Sequence, residues 1–142
     1  MSLTKEIPDK KVNFEFNKEF INVFSKKIKE NDTGFLNKTL KELHPADSAD
    51  IIENLISENR SKLIELEGFN LDPEIFIELN ESIQTEVFML LSTESIANIL
   101  KHLESDNALK IIENLDEKKK NVVLNKLPPK DRFLLQEGLS FP

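Results

Sequence analysis

Residues 91–115 read LSTESIANILKHLESDNALKIIENL, two units of twelve that each open on a leucine and a helix-starting Ser or Glu-Ser and close on the next leucine. The same step recurs along most of the chain, at Leu43, Leu55, Leu79, Leu91, Leu103, Leu115, Leu127 and Leu139; one step is missed, and Leu66 nearly fills it. A period of this kind is an internal structural repeat. Twelve residues at about 100° each carry a helical side chain roughly 120° beyond whole turns. An unbroken helix would therefore spread the leucines around its circumference, and burying them all requires a break once per unit.

Breakers stand one to three residues after the leucines: His44-Pro45, Ser57, Ser82, Ser92, Ser105-Asp106, Asp116, Pro128-Pro129 and the closing Ser140-Phe141-Pro142. Asp72-Pro73-Glu74 supplies the same signal inside the irregular step. Ser and Asp cap exposed backbone N–H groups, and Pro fits the first helical turn. Between breakers the apolar residues keep helical spacing, as in Ile96, Ile99, Leu100 and Leu103, or Ala108, Ile111, Ile112 and Leu115. Helices of about eight to ten residues are marginal alone and must stack on their neighbours. Ahead of the repeats, Phe20, Phe24 and Ile28 form one apolar stripe, Asn31-Asp32-Thr33-Gly34 a turn, and Phe35, Leu36, Leu40 and Leu43 another apolar face. The fold class is all-α, a solenoid of short helices from residue 17 to residue 142, preceded by a mobile N-terminal tail over residues 1–16.

With 142 residues, 39% of them hydrophobic and ten of them Phe, the chain can bury a real core as one domain. Three Gly argue against a β-rich fold. The longest apolar run, Val87 to Leu91, is far short of the roughly twenty residues of a membrane span. No secretory leader is visible at the start, which favours a cytosolic address. The close at Pro142 without a charged tail is expected to be a boundary inside a longer protein.

Charge is uneven. Leu43 to Glu117 holds 17 acids and 4 bases, a balance of −13, whereas the residues from Lys118 onward hold 2 acids and 6 bases. An acidic middle opposes nucleic-acid binding, and Lys118-Lys119-Lys120 reads as a solvated helix face. Acidic outward faces serve solubility, or they form a surface whose repulsion divalent cations relieve; hard ions such as Mg²⁺ and Ca²⁺ select oxygen ligands. No contiguous calcium loop occurs, so a site must be assembled across helices or shared with a partner.

Nothing in the chain reads as an enzyme: no Gly-rich phosphate loop, no Gly-x-Ser-x-Gly, no His-Glu-x-x-His, and no Cys. His44 and His102, the two histidines, are far apart, and His44 before Pro45 reads as a helix-start residue.

The stretch Leu43-His44-Pro45-Ala46-Asp47-Ser48-Ala49-Asp50-Ile51-Ile52-Glu53-Asn54-Leu55 resembles the opening repeat of the cytosolic N-terminal domain of MgtE-type magnesium transporters. The resemblance continues through Leu91-Ser92-Thr93-Glu94, Leu127-Pro128-Pro129 and Leu139-Ser140-Phe141-Pro142, and it covers about residues 18–142. It implies a right-handed superhelix of about ten short helices. It also implies a regulatory role at the cytoplasmic face of the cell membrane: the domain docks on a CBS domain pair of the same polypeptide when Mg²⁺ is abundant, within a homodimeric transporter, and releases when Mg²⁺ falls. Glu74 and Asp106 match positions where the family places ion-binding carboxylates, so Mg²⁺ is expected to bind weakly there, shared with the partner domain. Both residues also favour the helix starts they occupy. Lys110 departs from the family pattern, which often has a second acid one turn after the Asp106 position. Asp47 and Asp50 match the signature as fold-determining residues. The alternatives are a protein-binding scaffold similar to the flagellar motor switch protein, whose Glu-His-Pro-Gln and Gly-Gly elements are absent here, and a free-standing adaptor of the MgtE type.

Overall fold

A computed structural model describes residues 18–140; the expected tail at 1–16 and the closing Phe141-Pro142 lie outside the described residues. The all-α expectation holds: among the described residues there are ten α-helices, a single 3-10 turn and no strand. The helices are α1 (Lys18–Lys29), α2 (Thr33–Glu42), α3 (Pro45–Asn54), α4 (Ser57–Glu67), α5 (Pro73–Glu78), α6 (Glu81–Leu90), α7 (Thr93–Lys101), α8 (Ser105–Glu113), α9 (Glu117–Lys126) and α10 (Pro129–Ser140). The 3-10 turn, Gly68–Asn70, lies between α4 and α5.

The repeat leucines mark where helices end. Leu43, Leu55, Leu79 and Leu127 are the C-caps of α2, α3, α5 and α9, each in an extended conformation with ψ between 144° and 154°. An extended residue stops the helix and swings the chain aside without a left-handed glycine, and it leaves the leucine pointing inward. These four are all buried, as is Leu91. The missed step has a different occupant from the one the sequence suggests. Glu67, at the repeat position itself, is only 3% exposed, whereas Leu66 beside it is half-buried. The carboxylate is accommodated by a hydrogen bond from Asn37 Nδ2 to Glu67 Oε1, 3.0 Å, as a buried polar group requires.

Most breakers act as read. His44 caps α3 through Nδ1, which accepts from the N–H of Ala46 at 3.3 Å; Asp72, Ser92 and Asp116 accept from Glu74, Ser95 and Lys119 N–H groups. Ser82 does not start a helix: α6 begins at Glu81, and Asn80 Oδ1 accepts from the N–H of Ile83 at 2.9 Å. The expected turn after α1 is closed by Asn31, the one non-glycine residue with positive φ (58°) among the described residues. Its N–H donates to Ile28 O and that of Asp32 to Lys27 O, both 3.0 Å. That is the paired 5→2 and 6→1 bonding of a Schellman close.

The chain divides into two compact units, one through Ile83 and one from Gln84. In the first, α1 packs on α2 and α4, α2 on α4, and α3 on α5. Phe24 and Ile28 are fully buried, with Phe20 and Phe35 rings 6.3 Å from Phe24, and Lys27 Nζ lies 5.3 Å from the Phe35 ring centre. In the second, α7 packs on α9, and α10 on α8 and α9, around Val87, Ile96, Ile112 and Val123. Within both, helices stack on the helix two places along, the arrangement of stacked-helix repeats.

Helix ends in both units are held by side chains from elsewhere in the chain. Ser48 Oγ donates to Leu40 O at 3.1 Å, Lys62 Nζ to Lys29 O at 3.3 Å and Lys119 Nζ to Phe88 O at 2.7 Å. Arg60 is buried and donates to Ile52 O, Glu53 O and Leu55 O. The last carbonyls of a helix lack intrahelical partners and carry the negative end of its dipole, so cationic donors suit them. Lys119 therefore belongs to the close of α6 rather than to a solvated face, and Lys120 pairs with Glu117 at 3.1 Å.

Candidate functional site

Glu74 occupies the first turn of α5, after Asp72 as N-cap and Pro73 as the first helical residue. Its own N–H donates to Asp72 Oδ1 at 2.9 Å, so Asp72 already serves the cap and the Glu74 side chain is left to solvent. Glu78, one turn on and also exposed, shares its face. Two carboxylates at i and i+4 repel and favour a cation between or above them.

Asp106 lies in the first turn of α8, where Glu104 is the N-cap without a side-chain bond. Asp106 Oδ1 accepts from the N–H of Asn107 at 3.0 Å, an exposed contact to the neighbouring residue. Lys110, one turn on, is exposed. A carboxylate here gains from the dipole at the start of α8, and an ion would have to compete with both the dipole and Lys110.

Glu74 and Asp106 thus stand on separate helices, one in each compact unit, both open to water. Among the described residues no three His, Cys, Asp or Glu side chains converge on a common point that could hold a metal ion. Small hard cations keep several waters when few protein oxygens are offered, so a lone carboxylate offers at most part of a coordination sphere. Asp47 is buried in the first turn of α3, with its N–H donating to His44 O at 2.9 Å, in keeping with a fold-determining place. His102 Nδ1 lies 2.8 Å from Asn98 O on the same helix, within α7's own last turn.

Beside Asp72 the first unit has a cleft of about 230 Å³ lined by the apolar Leu40, Leu43, Leu71 and Ile75 and by the polar Asn37, Lys41 and Asn70. Sequence reading did not find it: its walls come from α2, the start of α3, the chain before α5 and α5 itself, and no local pattern joins them. No helix among the described residues is long and apolar enough to cross a membrane.

A family described as the MgtE intracellular N domain matches residues 43–142, the stretch that carries the leucine repeat. Neither a curated protein nor a solved structure matches the chain significantly.

Proposed function

The chain belongs to the family of MgtE intracellular N domains, and from that premise we propose that it regulates a magnesium-transporting pore by sensing Mg²⁺ through its acidic surface. In this reading the surface docks on a CBS domain pair of the same polypeptide, within a homodimer, when Mg²⁺ bridges the two. Glu74 and Asp106 supply part of each site and the partner supplies the rest.

The observation that carries the reading is the open, unassembled state of those carboxylates in a region of balance −13. Exposed acids lacking converging ligands bind Mg²⁺ weakly alone and more strongly against a second acidic surface. Two like charges at 4 Å repel by about 1 kcal/mol in bulk water and about 4 at an effective dielectric near 20. A few such pairs, bare or bridged, span the roughly 5.5 kcal/mol that moves a two-state switch from 1:99 to 99:1.

The test is association with the CBS pair of an MgtE-type transporter, supplied as a separate polypeptide, while Mg²⁺ is varied at constant ionic strength. Binding should strengthen with Mg²⁺, and the amide signals that move in this chain should include those around Glu74 and Asp106. Association indifferent to Mg²⁺, or shifts confined to residues 118–142, would sink the reading.

A further inference from the structure

The cleft beside Asp72 opens where the leucine repeat misses its step. Glu67 takes the place midway between Leu55 and Leu79, the 3-10 turn Gly68–Asn70 follows, and α5 has only six residues. A shortened helix leaves room that a full repeat would fill. The wall is aliphatic, made by Leu40, Leu43, Leu71 and Ile75, all of them buried. Its polar groups differ in chemistry. Buried Glu67 accepts from Asn37 Nδ2 at 3.0 Å, which fixes the amide with its nitrogen toward the carboxylate and leaves Asn37 Oδ1 as an acceptor. Asp72 Oδ1 accepts from the N–H of Glu74 at 2.9 Å, and Oδ2 has no partner among the described residues. Lys41 and Asn70 are exposed donors, and neither side chain has a hydrogen bond or ion pair among the described residues.

We propose that this cleft binds a free amino acid with an aliphatic side chain, of the size of L-leucine, as its zwitterion. The aliphatic wall takes the side chain, Asp72 Oδ2 and Asn37 Oδ1 accept from the ammonium group, and Lys41 and Asn70 donate to the carboxylate. A cavity of about 230 Å³ is smaller than the roughly 300–1,000 Å³ of sites for drug-sized ligands, so it suits a small molecule and not a nucleotide. One acid and one base on the same apolar cleft match a ligand that carries both charges. An aliphatic carboxylate would leave Asp72 without a partner, and an aliphatic amine would leave Lys41 without one. Burial of the side chain supplies most of the affinity, while the solvent-exposed ion pairs fix its orientation. For so few atoms Kd is on the order of 1 mM. The site needs neither Mg²⁺ nor a second domain and is independent of the magnesium-regulated role.

Amide spectra of the chain, titrated with L-leucine to roughly 20 mM, span that affinity. The signals expected to move are those of residues 37–45 and 70–75, which line the cleft. Isocaproate, which is leucine without its ammonium group, and isoamylamine, which is leucine without its carboxylate, should each bind at least about threefold more weakly. Glycine, with no side chain for the wall, should not bind. Lys41→Gln should weaken L-leucine about threefold to fivefold and leave isoamylamine no weaker, because only a carboxylate meets Lys41. Asp72→Asn, which keeps a cap for α5, should weaken L-leucine to the same extent and leave isocaproate no weaker. L-leucine that moves none of these signals, glycine or a singly charged analogue that binds as tightly as L-leucine, or variants that lack this crossed pattern would each overturn the assignment.

Discussion

Arg60 Nη2 donates to the carbonyl oxygen of Leu55 at 2.6 Å, five residues back and across the corner between α3 and α4. Six repeat lengths further on, Arg132 Nη2 reaches the carbonyl of Leu127 at 3.3 Å with the same five-residue offset. The two devices differ in strength. Arg60 is 6% exposed and its Nε also donates to Ile52 O at 3.0 Å, whereas Arg132 is half-buried and its Nε has no hydrogen-bond partner. Both act at a helix end whose carbonyls face the next helix.

Arg60→Ala is expected to cost about 2–4 kcal/mol, because it strips charged donors from buried carbonyls at one stroke. Arg60→Lys should recover less than half of that, since an ammonium cannot reproduce the planar fork. Arg132→Ala should cost under about 1 kcal/mol. Urea midpoints of the three variants measure the order, and equal losses at the two arginines would contradict it.

Glu67 stands where the repeat calls for leucine. Glu67→Leu should hold stability level or raise it by about 1 kcal/mol, because half-buried Asn37 can turn to water once its partner is gone. Glu67→Ala should lower it by about 2 kcal/mol through the cavity left behind. Thermal unfolding of the pair reads opposite signs; a loss with leucine as large as with alanine would mean that the carboxylate itself is needed.

Asn31 holds φ at 58°. Glycine pays no steric penalty in that region, so Asn31→Gly should gain up to about 0.5–1 kcal/mol, and the β-branched Asn31→Val should lose more than about 1. Denaturant titration separates the two directly.

The two glycines within α-helices, Gly34 and Gly138, should answer alanine differently. A Cβ on Gly34 would meet only Asp32 Oδ1, at 3.8 Å, so Gly34→Ala should gain roughly 0.5 kcal/mol from helix propensity. At Gly138 the same Cβ would stand 2.9 Å from Leu109, and the gain should vanish or reverse. In a Leu109→Ala background it should reappear, a coupling of about 1 kcal/mol in a double-mutant cycle.

Glu74→Gln and Asp106→Asn should leave unfolding midpoints within about 0.5 kcal/mol of the original, since both side chains are exposed. Each should remove the Mg²⁺-induced amide shifts of its own helix and spare those of the other. Shifts that survive both substitutions would place the ion elsewhere.

Much of this fold was legible because its signals are local. Pro45, Ser92, Asp116 and Asp72-Pro73 start helices through contacts within three residues, and the spacing of Ile96, Ile99 and Leu100 names a buried face without knowing what covers it. Ser82 misled because Asn80, two residues earlier, offered an equally good cap. Of the candidate site, Glu74 and Asp106 were legible as exposed helix-start acids, but the cleft beside Asp72 was not, since its walls lie up to 38 residues apart in the chain.

The sequence by itself determined that the chain breaks into short helices and that a leucine closes most turns of the repeat, because a twelve-residue period and a backbone cap are properties of one segment. Only the tertiary structure decided that Glu67 rather than Leu66 fills the interior and that Lys119 closes α6. Those outcomes depend on groups brought together from 30 or 31 residues away. Burial and the pairing of carbonyls with distant donors are settled by packing, and no single helix carries that information.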